Sequence, residues 1–345
     1  MSVEFTQKVE RYFADVVRWP GARVLDARRL AGGISRETWK VTIETQDGGE
    51  GRARQRDIIL RLDPADSVLP SNRDVEYAAF QAFENDPAVP VPATVCNEGD
   101  ASHLGTSFMA TCAMPGVADI ASIMNAPFRE VGSQIITNHF RVLGSIAKAS
   151  PREKGLDRIL AATTPDSAWS DTLAPWELML VEHPIGAAPI TAAAIRYLKR
   201  HRPSRADRIS IVHGDFRLGN CLYLPDGSIS AVLDWEMCHL GDPLEDLAWA
   251  LNSAWRPSAA ITMVGGHIAE EEAVRVWEKS SGLTAKRDAL HWWQLFVCVK
   301  LVAIFTRGAF HFLRSRSSDP QNALVSWVAL DTLEAQMLEL MGVAP

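Results

Sequence analysis

Two carboxylates and one carboxamide stand at a spacing that chemistry could use. In IVHGDFRLGN (211–220), Asp215 precedes Asn220 by five positions, behind two β-branched residues and a His-Gly pair, and Asp234 follows 14 positions later in ISAVLDW. Moving a phosphoryl group from a nucleotide needs a base or orienting carboxylate for the attacking hydroxyl. It also needs two further oxygen ligands to hold Mg²⁺ against the phosphates. Asp215 fits the first role, and Asn220 with Asp234 fits the second. Taken alone, the octet from His213 to Asn220 also fits a surface turn closed by an Asx cap.

The residues downstream decide between these readings. The order His213, Asp215, Asn220 and the step to Asp234 across a PDG hairpin (225–227) match a kinase catalytic loop followed by its metal-binding strand end. HGDFRLGN, AVLDWE and GDPLEDLAWAL together resemble the aminoglycoside phosphotransferase and choline kinase superfamily, whose fold is protein-kinase-like. They look most like the kinase domain joined to certain multidomain acyl-CoA dehydrogenases and its stand-alone bacterial relatives. The resemblance implies ATP and Mg²⁺ as cofactors, Asp215 as catalytic base, Asn220 and Asp234 as metal ligands, and Asp246 as a buried carboxylate bracing the loop. Trp235 and Glu236 replace the Phe-Gly of a protein kinase. Arg217 lies where protein kinases carry a lysine; its guanidinium can grip a phosphate or carboxylate through two parallel hydrogen bonds, or serve as a structural ion pair.

These residues need elements to position them, and the expected architecture is α+β and bilobal. It comprises a small antiparallel-sheet lobe with one main helix (1–113), a hinge about 109–116, and a larger, mostly helical catalytic and substrate-binding lobe (114–345). A lead-in helix with Val9, Phe13, Val16 and Val17 on one side precedes short alternating runs that read as a meander, ending in DIILRLD (57–63). LAGGISRETWKV (30–41) places Gly32 and Gly33 between strands, where backbone N–H groups could approach phosphates, with Ser35 as a further donor. Arg61 occupies the place of the phosphate-binding lysine of kinases and can pair with a carboxylate on the helix 71–85. Glu76 is the candidate partner and Asp74 its competitor. FMATCAMPG (108–116) resembles the interlobe hinge, with backbone groups near Cys112 and Met114 set to meet the adenine edge. Beyond residue 127 the pattern is mostly helical, including 130–149 and 189–200.

Composition bounds the function. With 345 residues, 47% hydrophobic and 22% charged, the chain can bury a sizeable core. A net charge of -7 disfavours nucleic acid or an anionic membrane as main partner, because both reward a basic surface. Five scattered cysteines without a CxxC pair point to reduced thiols in a cytoplasm and to no zinc site. The N-terminus lacks the order of a signal peptide, and the apolar run 292–305, interrupted by Gln294 and Lys300, reads as a buried helix. No feature sets an oligomeric state. The expected partner is a small molecule, anionic or acyl. In 291–318, Arg307, Arg314 and Arg316 would repel a polycation such as an aminoglycoside, while Trp292, Trp293, Phe296, Phe305 and Phe310 suit an acyl or ring-like body, although most of these residues read more simply as core and solvated face. An antibiotic phosphotransferase, a nucleotide-binding pseudokinase and a metal-dependent hydrolase built on His213 and Asp215 are the competing readings.

Overall fold

The computed structural model describes residues 3–30, 37–48, 52–63, 72–256, 262–314 and 320–343. Five antiparallel strands form the small lobe's sheet in the order β1-β2-β3-β5-β4: β1 (Arg23–Arg29), β2 (Glu37–Gly48), β3 (Arg52–Leu62), β4 (Thr94–Glu98) and β5 (Phe108–Cys112). Period-two alternation along β3 sends Ile58, Leu60 and Leu62 to one face, where they pack with Val9, Tyr12 and Phe13 of the helix α1 (Val3–Asp15). Arg61 therefore points to the opposite face.

Helix α2 (Arg73–Phe83) begins at Asn72, whose side-chain oxygen accepts from the N–H groups of Asp74 and Val75 at 3.0 and 3.3 Å. Its apolar side, Ala79, Phe80 and Phe83, belongs to the core of the large lobe rather than to the sheet-and-α1 cluster. Phe83 stacks on Trp235 with ring centroids 5.0 Å apart. The helix that carries Glu76 is thus held by the lobe that carries Asp234.

The large lobe runs α3 (Ile120–Ile123), α4 (Gly132–Lys148), α5 (Ala168–Glu182), α6 (Pro189–Arg200), then short strands, then α7 (Leu244–Leu251), α8 (Glu270–Ser281), α9 (Arg287–Leu313) and α10 (Gln321–Leu340). The strand β6 (Ser210–Val212) pairs with β9 (His239–Gly241), and β7 (Cys221–Tyr223) pairs with β8 (Ile229–Val232) across the PDG turn. These two ladders present the loops on which Asp215, Asn220 and Asp234 stand. Helix α9 is long and apolar enough, by length and composition, to cross a membrane, yet most of it is buried in the core here. Helix α5 has no counterpart in the sequence pattern, because Pro175 in its middle breaks the periodicity from which a helix is read.

Candidate active site

The loop after β6 is fastened from three sides. Asp246, on α7, accepts the backbone N–H of His213 at 2.6 Å and that of Gly214 at 2.9 Å. The His213 ring is fully buried; its Nε2 donates to the Leu233 carbonyl at 2.9 Å and its Nδ1 accepts the Asp215 N–H at 3.2 Å. Burial lowers its pKa to about 4, so it stays neutral and acts as a spacer between two backbone segments. With both nitrogens committed, His213 has no lone pair for a metal, which removes the hydrolase reading. Gly214 adopts φ +85°, and a Cβ there would lie 2.5 Å from the Met237 carbonyl oxygen, so only glycine fits. The third fastening is Lys300, from the middle of α9, which donates to the Gly214 carbonyl at 2.7 Å.

Asp215 is consequently held in a cradle of donors. Trp249 Nε1 reaches Oδ1 at 3.0 Å, Asn220 Nδ2 reaches Oδ2 at 2.7 Å, and Arg217 Nε lies 3.3 Å from Oδ1. Burial lifts the Asp215 carboxyl above the usual range, opposed by the Arg217 guanidinium and reinforced by the charge of Asp234. A carboxylate so raised is a better proton acceptor than a solvated one. Arg217 remains a third exposed, stands over the Trp255 ring at 5.4 Å and uses only Nε here. Its Nη groups carry no hydrogen bond among the described residues.

Across the cleft, the predicted pair of Arg61 and Glu76 forms through Nη1 and Oε1, and the other branch of the guanidinium reaches Asp234 Oδ1 at 3.0 Å. Asp74 is excluded as the partner: its side chain is exposed, accepts from Asn97 Nδ2 at 2.8 Å and lies near Arg73. Asp234 sits in the left-handed region at φ 67°, ψ 49°, a conformation that aspartate tolerates better than most residues and that turns its carboxylate out of the strand. Burial would raise this carboxyl, but Arg61 outweighs it and holds the group below the ordinary carboxylate range. Asn220 spends its amide nitrogen on Asp215, leaving its carbonyl oxygen without a hydrogen bond among the described residues. That oxygen and the Asp234 carboxylate are hard oxygen donors of the kind Mg²⁺ takes, in the small number it takes from protein when phosphates and water supply the rest.

Other expectations are only partly met. The Cys112 N–H is already spent on the Ala93 carbonyl at 2.8 Å, because the strand pairing turns it toward the segment that leads into β4. The Cys112 N–H is therefore already taken, whereas Met114 has no hydrogen bond among the described residues. Gly32, Gly33, Ser35 and Arg316 lie outside the described residues. Trp292, Trp293 and Phe296 are core: their exposures are 3%, 0% and 0%, and the two indoles donate to Leu198 O and Asp242 Oδ2.

Three residues that matter were not singled out from the sequence. Lys300 is 1% exposed and also pairs with the fully buried Glu245 at 3.0 Å, and Glu245 accepts from His239 Nε2 at 2.9 Å. Burial would raise Glu245, but His239 and Lys300 more than offset it and hold the carboxyl at about 2. The available signal was Lys300 itself, since a lysine inside an apolar helix needs a buried anionic partner.

A sheet lobe and a helical lobe that meet at an aspartate cradle and an arginine clamp define a kinase-like phosphotransferase. The chain belongs to the phosphotransferase enzyme family, whose sequence model matches residues 26–283. Among curated proteins it is similar to the mouse protein named acyl-CoA dehydrogenase family member 10, 30% identical over 219 residues and 60% of this chain, and to the chicken family member 11, 24% identical over 72% of this chain. The matches span 19% and 30% of those relatives' lengths. Among solved structures, a Ralstonia eutropha chain described as an aminoglycoside phosphotransferase superposes with TM-score 0.77 at 19% identity over 99% of both chains. A thermostable mutant of aminoglycoside phosphotransferase APH(4)-Ia, bound to ADP and hygromycin B, gives TM-score 0.60 at 17% identity over 95% of this chain and 98% of its own. These structural likenesses establish the kinase-like fold.

Proposed function

We propose that the protein is an ATP-dependent small-molecule kinase that phosphorylates a hydroxyl of an organic anion, with a 4-hydroxyacyl-CoA thioester as the acceptor. The observation that carries the reaction type is the juxtaposition, around one cleft, of the cradled Asp215 with the Arg61–Asp234 pair. Asp215 takes the proton of the acceptor hydroxyl as its oxygen forms a bond to the γ-phosphorus, the bond from γ-phosphorus to the β–γ bridging oxygen breaks, and ADP leaves. Arg61 reaches the α- and β-phosphate oxygens, with Glu76 and Asp234 fixing its direction. Asn220 and Asp234 would hold Mg²⁺, which would neutralise charge on the phosphates. Met114 presents its backbone to the adenine, and Arg217 turns its unbonded Nη groups to the transferred phosphate or to an acceptor carboxylate. The acyl acceptor is supported by the names of the curated relatives, which bear an acyl-CoA dehydrogenase designation.

The antibiotic reading draws on the aminoglycoside and macrolide phosphotransferases among the structural neighbours. One experiment separates the two readings. Steady-state ADP release is measured with Mg-ATP against 4-hydroxyacyl-CoA thioesters, choline, aminoglycosides and macrolides. Turnover is expected with the thioesters alone, and turnover confined to the antibiotics would overturn the acyl reading. Asp215→Asn in the same assay lowers turnover by about 10²–10⁴-fold with nucleotide affinity retained, because the base is not a metal ligand.

A further inference from the structure

A pocket of about 280 Å³ opens beside the catalytic loop, lined among others by Trp176 and Met179 of α5, Met237, His239 and Leu240 at β9, and Lys300 of α9. Its polar lining is largely spoken for. His239 is bonded to Glu245 and to the Met237 carbonyl, Lys300 to Glu245 and Gly214, and the Thr163 hydroxyl at the rim to Asp171 at 2.6 Å. The Lys300 ammonium lies 5.3 Å from the Trp176 ring centroid and 4.5 Å from that of Trp249, so it is shared between two aromatic faces rather than offered to the cavity. Glu236 and Thr172 also belong to the lining, and the rest of the surface an occupant meets is mainly indole, thioether and aliphatic, which favours hydrocarbon over a charged group.

The pocket also touches the machinery. Met237 lines it and abuts Gly214, the residue before Asp215, where a Cβ would come within 2.8 Å of the Met237 Cβ. Trp249 stacks against Lys300 and donates to Asp215. An occupant therefore lies one side chain away from the loop that bears Asp215. The volume is roughly twice that of a ~150 Å³ cavity that accepts benzene, which corresponds to about a dozen carbon atoms.

We propose that this pocket is the subsite for the hydrocarbon tail of the acceptor, beyond the carbon that bears the reacting hydroxyl. The inference rests on the functional reading above and adds the tail's chemistry, place and length limit. A cluster of partnered charges forms its inner wall, so the tail contacts Trp176 and Met237 and makes no polar bond.

The test is a chain-length series of straight-chain 4-hydroxyacyl-pantetheine thioesters from five to fourteen carbons, assayed with the full chain and with Ala162→Trp. Ala162 is an exposed residue at the pocket's lining, so a bulky ring there narrows the entrance without disturbing the core. In the unaltered protein, kcat/KM rises by about fourfold per added methylene, the transfer value of one buried CH₂, until the pocket is full. In Ala162→Trp the rise is flattened. Equal slopes in both proteins would place the tail elsewhere and overturn the proposal. A second arm does not depend on turnover: octanol raises the melting temperature of the unaltered protein and raises that of Ala162→Trp less. An equal shift in both, or none in either, also overturns the proposal. Should no thioester be phosphorylated, the acceptor reading fails, and the octanol arm alone decides whether the pocket binds hydrocarbon.

Discussion

The molecule holds two buried charge clusters around one loop, and they are built differently. In the interlobe cluster, Arg61 and Asp234 retain side-chain exposures of 16% and 29%, and only Glu76 is sealed. In the large-lobe cluster, Lys300 and Glu245 are 1% and 0% exposed, and the lysine is bonded to backbone as well as to carboxylate. The first joins elements of different lobes and leaves water access to Arg61 and Asp234, the groups that on the proposed reading exchange partners when a nucleotide arrives. The second keeps its Lys300–Glu245 pair from solvent, with only His239 partly exposed, and commits the lysine to Glu245 and to one carbonyl of the catalytic loop. One cluster is therefore fitted to exchange and the other to fixing geometry, although both are arginine or lysine among carboxylates.

The largest effect expected from breaking that contrast comes from the sealed side. Lys300→Met leaves Glu245 buried beside His239 alone and strips the Gly214 carbonyl of its donor, which costs about 3–5 kcal/mol of stability. The double substitution Lys300→Met with Glu245→Gln recovers a large part of the loss, since removing both charges removes the uncompensated one. Urea unfolding of the two variants measures both statements. A loss below about 1 kcal/mol in the single variant would mean that water reaches the cluster and that it is not sealed.

The same cluster has a pH signature. Glu245 is held at about 2, below its free value of 4.5, so its contribution is present above 4.5 and is lost as pH falls toward 2. For His239, burial works against protonation, but Glu245 wins and raises the pKa above 6.5; that contribution is complete below 6.5 and disappears as pH rises through the folded value. The stability difference between the unaltered protein and the double variant is thus greatest between about 4.5 and 6.5 and smaller on both sides. Urea midpoints across pH 3 to 9 measure it, and a difference independent of pH would break the assignment.

How much of this was legible follows from which forces leave a local mark. The grouping of Asp215, Asn220 and Asp234 at neighbouring loop ends was readable because their spacing in one short stretch follows a loop-and-hairpin pattern that local sequence carries. The Arg61 and Glu76 partnership was readable because a strand end and the following helix carry them within 15 positions. The Lys300–Glu245 pair joins residues 55 apart, and nothing local to either predicts the other. That the Cys112 N–H is spent inside the sheet was not readable, because strand pairing sets it and side-chain pattern does not reveal it. Trp176, the aromatic face of the pocket, lies on α5, the helix that Pro175 hides, while Trp292 and Phe296 fill the core, the simpler of the two readings their sequence offered.

The smallest stability effect is expected on the open side, where it separates role from support. In Asp234→Asn, Arg61 keeps its bond to Glu76, and the altered group is partly solvated and stays isosteric, so unfolding free energy changes by less than about 1 kcal/mol. Function behaves oppositely. A carboxamide is a weaker ligand for a hard divalent cation, so the rise in melting temperature caused by Mg-ATP shrinks in this variant, while the smaller rise caused by ATP with EDTA is retained. If stability without nucleotide fell as far as in Lys300→Met, the two clusters would be equivalent supports and the distinction drawn from their exposures would be lost. If instead the Mg-ATP shift survived intact, Asp234 would serve only to orient Arg61, and the metal would have to be held from Asn220 and the phosphates.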